Sequence, residues 1–182
     1  DAFLVGRDFV GDSPACLILG DNIFYGEGLG ALLKDCATLQ EGAIIFGYRV
    51  NDPERYGIVE FDEKENVLSI EEKPAKPRSN FAVPGIYFYD NQVVKYAESV
   101  KPSARGEIEI TDLNKIYLEK GKLKAKLFGR GVAWLDAGTH ESLLQAATFI
   151  EAIQQRQGLM ISCPEEIAYH MGFLSADQVR AR

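Results

Sequence analysis

The sequence has few of the residues around which metal sites and protein nucleophiles are usually built. Its 182 residues include three cysteines and two histidines. The cysteines lie far apart and form no C-x-x-C pair, which excludes a disulfide framework and a zinc knuckle and favours a reducing, cytoplasmic setting. His140-Glu141 does not begin a zinc-binding helix, because Leu144 stands where the second histidine would be. No G-x-S-x-G nucleophile turn occurs either.

Long apolar runs and excess positive charge are also missing. No apolar run approaches the ~20 residues of a membrane span. Acidic residues outnumber basic ones by 27 to 20, giving a formal net charge of −7. Proteins that bind the phosphate backbone of nucleic acids need a basic face. We therefore expect neither a membrane nor a nucleic acid as partner.

The chain also lacks a glycine loop of the kind that cradles nucleotide phosphates. The glycines at 26, 28 and 30 have the wrong spacing for either common phosphate-binding motif, and favour a turn before a helix. The sequence opens on Asp1 rather than Met and continues directly into apolar residues. A processed chain is one explanation; our expectation is a sequence that begins within a longer protein.

Short apolar runs alternate with helical patterns along the chain. The runs predict strands at 15–19, 43–50, 57–61, 67–70, 81–89, 123–128 and 132–135. Helical spacing predicts helices at 29–39, 92–100, 111–121, 140–157, 164–171 and 176–182, with Thr139 as a cap. The alternation predicts one α/β domain over 1–182, and the polar turn at 62–66 predicts a β-hairpin that walls a pocket.

Two predicted strands end in an aspartate. Asp21 follows the first strand and Asp136 follows the last, each next to a glycine turn. Strand ends are where α/β proteins bind ligands, and two carboxylates suit Mg²⁺ completed by phosphate and water. Each residue alone is equally compatible with an ordinary turn.

Two further segments carry cations. Lys73 ends a strand next to Glu71 and Glu72, where an ammonium can meet a phosphate and carboxylates can accept hydrogen bonds from sugar hydroxyls. Arg105 stands beside Gly106 before a predicted helix. Taken alone, the first segment also fits a solvated edge and the second an ordinary loop.

Together, the motifs resemble one family more specifically than any of them does alone. The resemblance is to the sugar nucleotidyltransferases, on their glucose-1-phosphate thymidylyltransferase branch, and covers essentially the whole chain. It rests on Leu-Gly-Asp-Asn-Ile-Phe-Tyr-Gly at 19–26, Asn-Asp-Pro-Glu-Arg-Tyr-Gly at 51–57, Glu-Glu-Lys-Pro at 71–74, Gly-Ile-Tyr-Phe-Tyr-Asp at 85–90, Arg-Gly-Glu at 105–107, Trp-Leu-Asp-Ala-Gly-Thr at 134–139 and Ser-Cys-Pro-Glu-Glu-Ile-Ala at 162–168.

The resemblance implies a doubly wound mixed sheet with an inserted hairpin and a C-terminal helical tail. It also implies transfer of a nucleotidyl group from dTTP to glucose 1-phosphate, with Mg²⁺, as the first step of dTDP-rhamnose and deoxysugar synthesis. The implied site residues are Asp21 and Asp136 for the metal, Tyr56, Gly57, Glu72 and Val83 for the sugar, and Lys73 and Arg105 for its phosphate, with Asp21, Lys73 and Asp136 catalytic.

The family resemblance implies two further properties. One is a homo-oligomer, a tetramer or dimer of dimers; the other is a second, regulatory site at Tyr25, Gly26, Arg130, Glu166 and Ile167. The family's N-terminal glycine-rich loop and a core strand are not in this sequence, so we expect an exposed apolar sheet edge and an inactive chain on its own. The alternative is an inert chain that binds sugar phosphate or effector, or only dimerises.

Overall fold

The computed structural model describes residues 2–64, 66–103 and 106–181. The chain divides into two compact units, Asp1–Leu135 and Asp136–Arg182, and each is described by itself. Nothing in this division tests the expectation of a single domain.

The first unit is built on strands that follow the short apolar runs of the sequence. The strands are β1 (Ala15–Ile18), β2 (Asn22–Gly26), β3 (Ala43–Arg49), β4 (Gly57–Phe61), β5 (Val67–Glu72), β6 (Phe81–Ala82), β7 (Ile86–Tyr89), β8 (Leu123–Leu127) and β9 (Val132–Asp136). The helices are α1 (Ala2–Val5), α2 (Arg7–Val10), α3 (Leu29–Cys36), α4 (Val93–Ala97) and α5 (Ile110–Glu119), with a 3-10 turn at Pro53–Arg55.

Seven of the strands in the described part of the chain form one sheet. Its order is β1-β7-β3-β6-β4-β5, and β8 pairs with β3. The β3–β8 pair is parallel, whereas β1–β7, β3–β7 and β4–β5 are antiparallel. The sheet is therefore mixed, as expected, and mostly antiparallel. β2 and β9 pair in a separate two-stranded sheet.

β3 lies in the middle of the large sheet and separates two apolar clusters. Successive strand residues point to opposite faces, so Ile45 joins a cluster with Tyr89 and Tyr117. Ile44 and Phe46 join a second cluster with Phe88 and Phe128, in which the rings of Phe46 and Phe128 stack at 4.6 Å. Helices cover both faces, which explains why the first five residues of β3 are all buried.

Three local expectations were incomplete. β2 was missed, because a five-residue strand that begins with Asn and ends with Gly carries little strand signal of its own. The predicted strand at 81–89 is two strands, β6 and β7, since Pro84 has no N–H to donate to a sheet. The two short helices at the start, α1 and α2, were also not predicted.

The hairpin of β4 and β5 is formed as predicted. The side chain of Asp62 accepts hydrogen bonds from the backbone of Lys64 and Asn66, which closes the turn. β5 extends to Glu72, two residues beyond the predicted end. This extension places Glu72 opposite Gly57, at the open end of the hairpin.

β1 ends the order of the large sheet and pairs with β7. Its last residue, Ile18, is 54% exposed. We expected an exposed apolar edge of the sheet, and in the described residues the end strand β1 exposes the apolar side chain of Ile18.

The second unit contains the helices α6 (His140–Gln157), α7 (Pro164–His170) and α8 (Ala176–Arg180). α6 has the predicted bounds, and the Thr139 side chain accepts a hydrogen bond from the Ser142 backbone as the predicted cap. No described helix combines the length and the apolar character that crossing a membrane requires.

Candidate active site

The open end of the hairpin brings most of the predicted sugar-binding residues together. Gly57 and Glu72 are paired across β4 and β5. The Val83 N–H donates to the Gly57 carbonyl at 2.8 Å, and the Lys73 N–H donates to the Tyr56 carbonyl at 3.0 Å. An antiparallel hairpin necessarily places the start of its first strand beside the end of its second, which is why residues so far apart in sequence meet here.

The Glu72 carboxylate accepts a hydrogen bond from Thr111, a residue to which the sequence motifs assigned no role. The Thr111 hydroxyl donates to Glu72 Oε2 at 2.5 Å, and Thr111 is only 3% exposed. A Cβ atom at position 57 would lie 3.1 Å from Glu72 Oε2 and 3.3 Å from Thr111 Oγ1. Gly57 therefore leaves the space that this carboxylate–hydroxyl pair fills.

Lys73 has an unusual backbone conformation. Its φ is +43°, in the left-handed region where a residue with a Cβ is strained by about 1 kcal/mol or more. No hydrogen bond or ion pair to a described residue engages its ammonium group. The strained backbone thus presents an exposed cation, without a partner among the described residues, next to Glu72. Arg105, the second predicted phosphate contact, lies outside the described residues.

Asn22 organises the surroundings of Asp21. Its side-chain oxygen accepts hydrogen bonds from the Trp134 indole at 2.7 Å and from the Gly85 backbone at 2.9 Å. Two donors on the oxygen fix the orientation of the amide, so its NH₂ group faces Asp21 and donates to Oδ1 at 2.7 Å. No separate role for Asn22 follows from the sequence motif. Its partners are 63 and 112 residues away, so no local pattern reveals them.

Tyr87 lies within electrostatic reach of both predicted parts of the site. Burial raises the pKa of its hydroxyl well above the ordinary value, and the negative charges of Glu72 and Asp21 raise the pKa further. Tyr87 therefore stays protonated and remains a hydrogen-bond donor at neutral pH. Tyr87 belongs to the motif at 85–90, but no function for its side chain follows from the sequence.

The two predicted metal ligands belong to different compact units. Asp21 is exposed just before β2, whereas Asp136 is the last residue of β9 and the first of the second unit. The Asp136 carboxylate accepts a hydrogen bond from the Gly138 backbone at 3.3 Å. Carboxylate oxygens are ligands that Mg²⁺ prefers, and one or two of them suffice when phosphate and water complete the shell.

Within the described ranges, no three acidic, histidine or cysteine side chains group closely enough to hold a metal ion.

The predicted regulatory residues are also divided between the units. Gly26 packs tightly against the Gly131 backbone, where a Cβ would approach the carbonyl oxygen to 2.5 Å. The neighbouring Arg130 lines a cavity of about 590 Å³ together with Arg49. Tyr25 precedes Gly26 in β2. In the second unit, Glu166 and Ile167 lie on α7, where Glu166 is 3.8 Å from the His170 imidazole.

The fold and this site define a class of protein. A mixed sheet covered by helices on both faces, with carboxylates and a lysine at strand ends, is typical of α/β proteins that bind phosphorylated ligands at the edge of the sheet. Residues 1–153 match the model of the nucleotidyl transferase family. The chain belongs to this family.

Similar proteins carry names that are consistent with this family. The chain is 58% identical over 178 residues to a glucose-1-phosphate thymidylyltransferase of Xanthomonas campestris pv. campestris, covering 98% of this chain and 60% of the relative. It is 55% identical over 181 residues to that of Neisseria gonorrhoeae, covering 100% and 63%. The chain thus spans less than two thirds of the length of these relatives.

A solved structure shows the same fold. A Bacillus anthracis protein assigned as a glucose-1-phosphate thymidylyltransferase, solved in complex with sucrose, superposes with a TM-score of 0.72 at 42% identity. The match covers 81% of this chain and 58% of that one. The predicted α/β fold is confirmed.

Proposed function

We propose that the protein takes part in transfer of a nucleotidyl group from dTTP to glucose 1-phosphate, giving dTDP-glucose and pyrophosphate. The observation that carries the proposal is the convergence of Gly57, Glu72, Lys73 and Val83 at the open end of the β4–β5 hairpin. The names of the relatives support the same substrates.

In this proposal, the hairpin binds the sugar phosphate. Glu72 accepts hydrogen bonds from sugar hydroxyls, and the backbone at Gly57 and the neighbouring Tyr56 form the wall. The N–H of Val83 is already used by Gly57, so a ligand would meet its carbonyl oxygen. The exposed ammonium of Lys73 neutralises the phosphate, and Arg105 is proposed to assist it.

The reaction needs no protein nucleophile. A phosphate oxygen of glucose 1-phosphate attacks the α-phosphorus of dTTP in line, and pyrophosphate leaves. Positioning and neutralisation of charge supply the rate in such transfers, which agrees with the scarcity of histidine and cysteine. We propose Asp21 and Asp136 as the residues that hold Mg²⁺, which would neutralise charge on the reacting phosphates. Asn22 keeps the Asp21 carboxylate oriented.

Regulation and assembly form a separate part of the proposal. We place a regulatory site at Tyr25, Gly26, Arg130, Glu166 and Ile167, and a homo-oligomer, tetramer or dimer of dimers, in the cytoplasm. Large exposed apolar side chains on the second unit, among them Leu144, Met160 and Phe173, support association with another chain. The product would enter dTDP-rhamnose and deoxysugar synthesis.

The decisive experiment measures pyrophosphate release by the complete gene product that carries this chain. We expect release only when dTTP, glucose 1-phosphate and Mg²⁺ are all present, and EDTA should stop it. Lys73→Gln should raise the KM for glucose 1-phosphate at least tenfold, because a buried or closely held charge contact to phosphate is worth about 1.5–3 kcal/mol.

Lys76→Gln is the matched control, since it removes the charge of another exposed lysine three residues further along the chain. Equal effects of the two substitutions would contradict the role of Lys73. No release under any condition, together with binding of glucose 1-phosphate, would favour the inert alternative. Substituting UTP for dTTP tests the base.

A further inference from the structure

We propose that Thr111 is a positioning residue that fixes the Glu72 carboxylate in the orientation required to bind a hexose 1-phosphate. This inference rests on the proposed function, because it concerns how Glu72 recognises the sugar. It assigns a role to a residue that would otherwise be only the second residue of α5.

The geometry ties one oxygen of Glu72 to the protein and leaves the other available. Thr111 Oγ1 donates to Oε2 at 2.5 Å, a bond between groups 39 residues apart. No hydrogen bond to another described residue engages Oε1. A carboxylate anchored through one oxygen presents the other in a fixed direction, so a ligand hydroxyl meets a preorganised acceptor.

Thr111 itself has little freedom to move. It is 3% exposed, and a β-branched side chain has few accessible rotamers. Its position in the first turn of α5 also joins that helix to β5 through the same bond. Water has little access to the hydroxyl, so the carboxylate keeps this donor instead of exchanging it for solvent.

The backbone of Gly57 in β4 also packs against Glu72 and Thr111. A Cβ at this position would crowd both Glu72 Oε2 and Thr111 Oγ1, at 3.1 and 3.3 Å. The hydroxyl–carboxylate pair therefore occupies the space directly above the backbone of β4. Three elements, β4, β5 and α5, hold Glu72 at the open end of the hairpin.

The test compares substitutions that separate the hydroxyl from the bulk of Thr111. Thr111→Val keeps the shape and removes the donor, whereas Thr111→Ser keeps the donor and removes a methyl group. We expect Thr111→Val to weaken binding of α-D-glucose 1-phosphate about tenfold by isothermal titration calorimetry, since hydrogen bonds to charged groups are worth at least a factor of ten. Thr111→Ser should stay within about twofold of the original protein.

Turnover gives a second readout that a merely structural role would not produce. In the complete gene product, Thr111→Val should raise the KM for glucose 1-phosphate about tenfold, while kcat changes by less than about threefold and the KM for dTTP stays unchanged. Circular dichroism at increasing temperature checks that each variant is folded.

The chain provides a matched control on the same hairpin. Ser69 donates to Glu60 Oε2 at 2.9 Å, the same kind of hydroxyl–carboxylate bond on paired residues of β4 and β5. Ser69→Ala removes that bond away from the site and should leave sugar-phosphate binding unchanged. A loss like that of Thr111→Val would show a general effect of the hairpin and overturn the inference.

A double-mutant cycle tests whether Thr111 acts through Glu72. In a Glu72→Ala background, which leaves the Thr111 hydroxyl no side-chain acceptor at position 72, adding Thr111→Val should weaken binding by less than about twofold. A full additional tenfold loss, or equal losses with Ser and Val at position 111, would overturn the inference while leaving the proposed function intact. Absence of any sugar-phosphate binding by the unsubstituted protein would overturn both.

Discussion

At the scale of single residues, the site depends on polar side chains whose partners are distant in sequence. Glu72 is oriented by Thr111, and Asp21 is oriented by Asn22. Sequence motifs predicted roles for both carboxylates, because acidic residues at strand ends are visible in the chain, and these roles stay predictions. The neutral residues that orient them were missed, since Thr111 and Asn22 have equally good local explanations as helix and turn residues.

Asn22 provides a prediction at this scale. Asn22→Ala removes three hydrogen bonds and leaves the Trp134 indole and the Gly85 N–H without an acceptor. We expect a loss of about 2–3 kcal/mol in the free energy of unfolding, because unsatisfied donors are costly. Trp134 is the only tryptophan in the sequence, so a red shift of intrinsic fluorescence in the folded state should accompany this loss.

Asn91→Ala is the control for this measurement. Asn91 is exposed, and its side-chain oxygen accepts from the neighbouring Gln92. Its replacement should change stability by less than about 0.5 kcal/mol and leave the fluorescence unchanged. Similar destabilisation by both substitutions would show that Asn22 does not organise the site.

At the scale of secondary-structure elements, the sequence was sufficient to predict an element where a cap, a helix-terminating residue or a turn lies within a few residues of it. α6 begins after a threonine cap and ends before Gly158, whose positive φ terminates the helix. The β4–β5 hairpin has its turn chemistry in Asp62 and Asn66. β2 has no such signal, and its pairing with β9 depends on residues more than 100 positions later.

The cap of α6 gives the prediction at this scale. Thr139→Ala removes the hydrogen bond to the Ser142 backbone and half of a reciprocal capping box, so it should cost about 1 kcal/mol in the free energy of unfolding. Urea denaturation followed by far-ultraviolet circular dichroism measures this loss.

Thr148→Ala makes the same chemical change within α6. The exposed Thr148 hydroxyl donates to the Leu144 carbonyl one turn earlier, and alanine is the better helix former. This variant should be neutral or slightly more stable than the original. If Thr148→Ala lowers the free energy of unfolding as much as Thr139→Ala does, the capping hydrogen bond makes no specific contribution to stability.

At the scale of the whole molecule, the core of the first unit contains a cluster of buried tyrosines. Tyr89 donates to Asn114, and Tyr117 donates to the buried carboxylate of Asp90, which also accepts from the Gly42 backbone at 2.6 Å. Burial raises the pKa of Tyr87, Tyr89 and Tyr117. The bond to Asp90 raises the pKa of Tyr117 further.

These pKa shifts predict sensitivity to alkali. Unfolded tyrosines ionise near pH 10, whereas the buried ones stay protonated, so the folded state binds more protons above this pH. The stabilisation is fully present below pH 10 and falls as the pH rises beyond it. Urea unfolding between pH 8 and 11 should show a progressive loss of stability, and phenolate absorbance should appear together with unfolding.

Tyr117→Phe separates this mechanism from general alkaline damage. The variant should be less stable at neutral pH, because Asp90 loses a donor, but its stability should decline less steeply above pH 10. An unchanged slope in the variant would show that Tyr117 does not contribute to the pH dependence.

The amino-acid sequence by itself determined the α/β class, most helices and strands, the hairpin, and the order of motifs that points to the nucleotidyl transferase family. These features arise from periodicity, capping and turn chemistry, which act over a few residues. Only the tertiary structure decided the mostly antiparallel strand order, the pairing of β2 with β9, and the contacts of Glu72 with Thr111 and of Asn22 with Trp134. Those contacts form between residues 39 to 112 positions apart, where packing of the whole sheet selects the partners and no local preference specifies them.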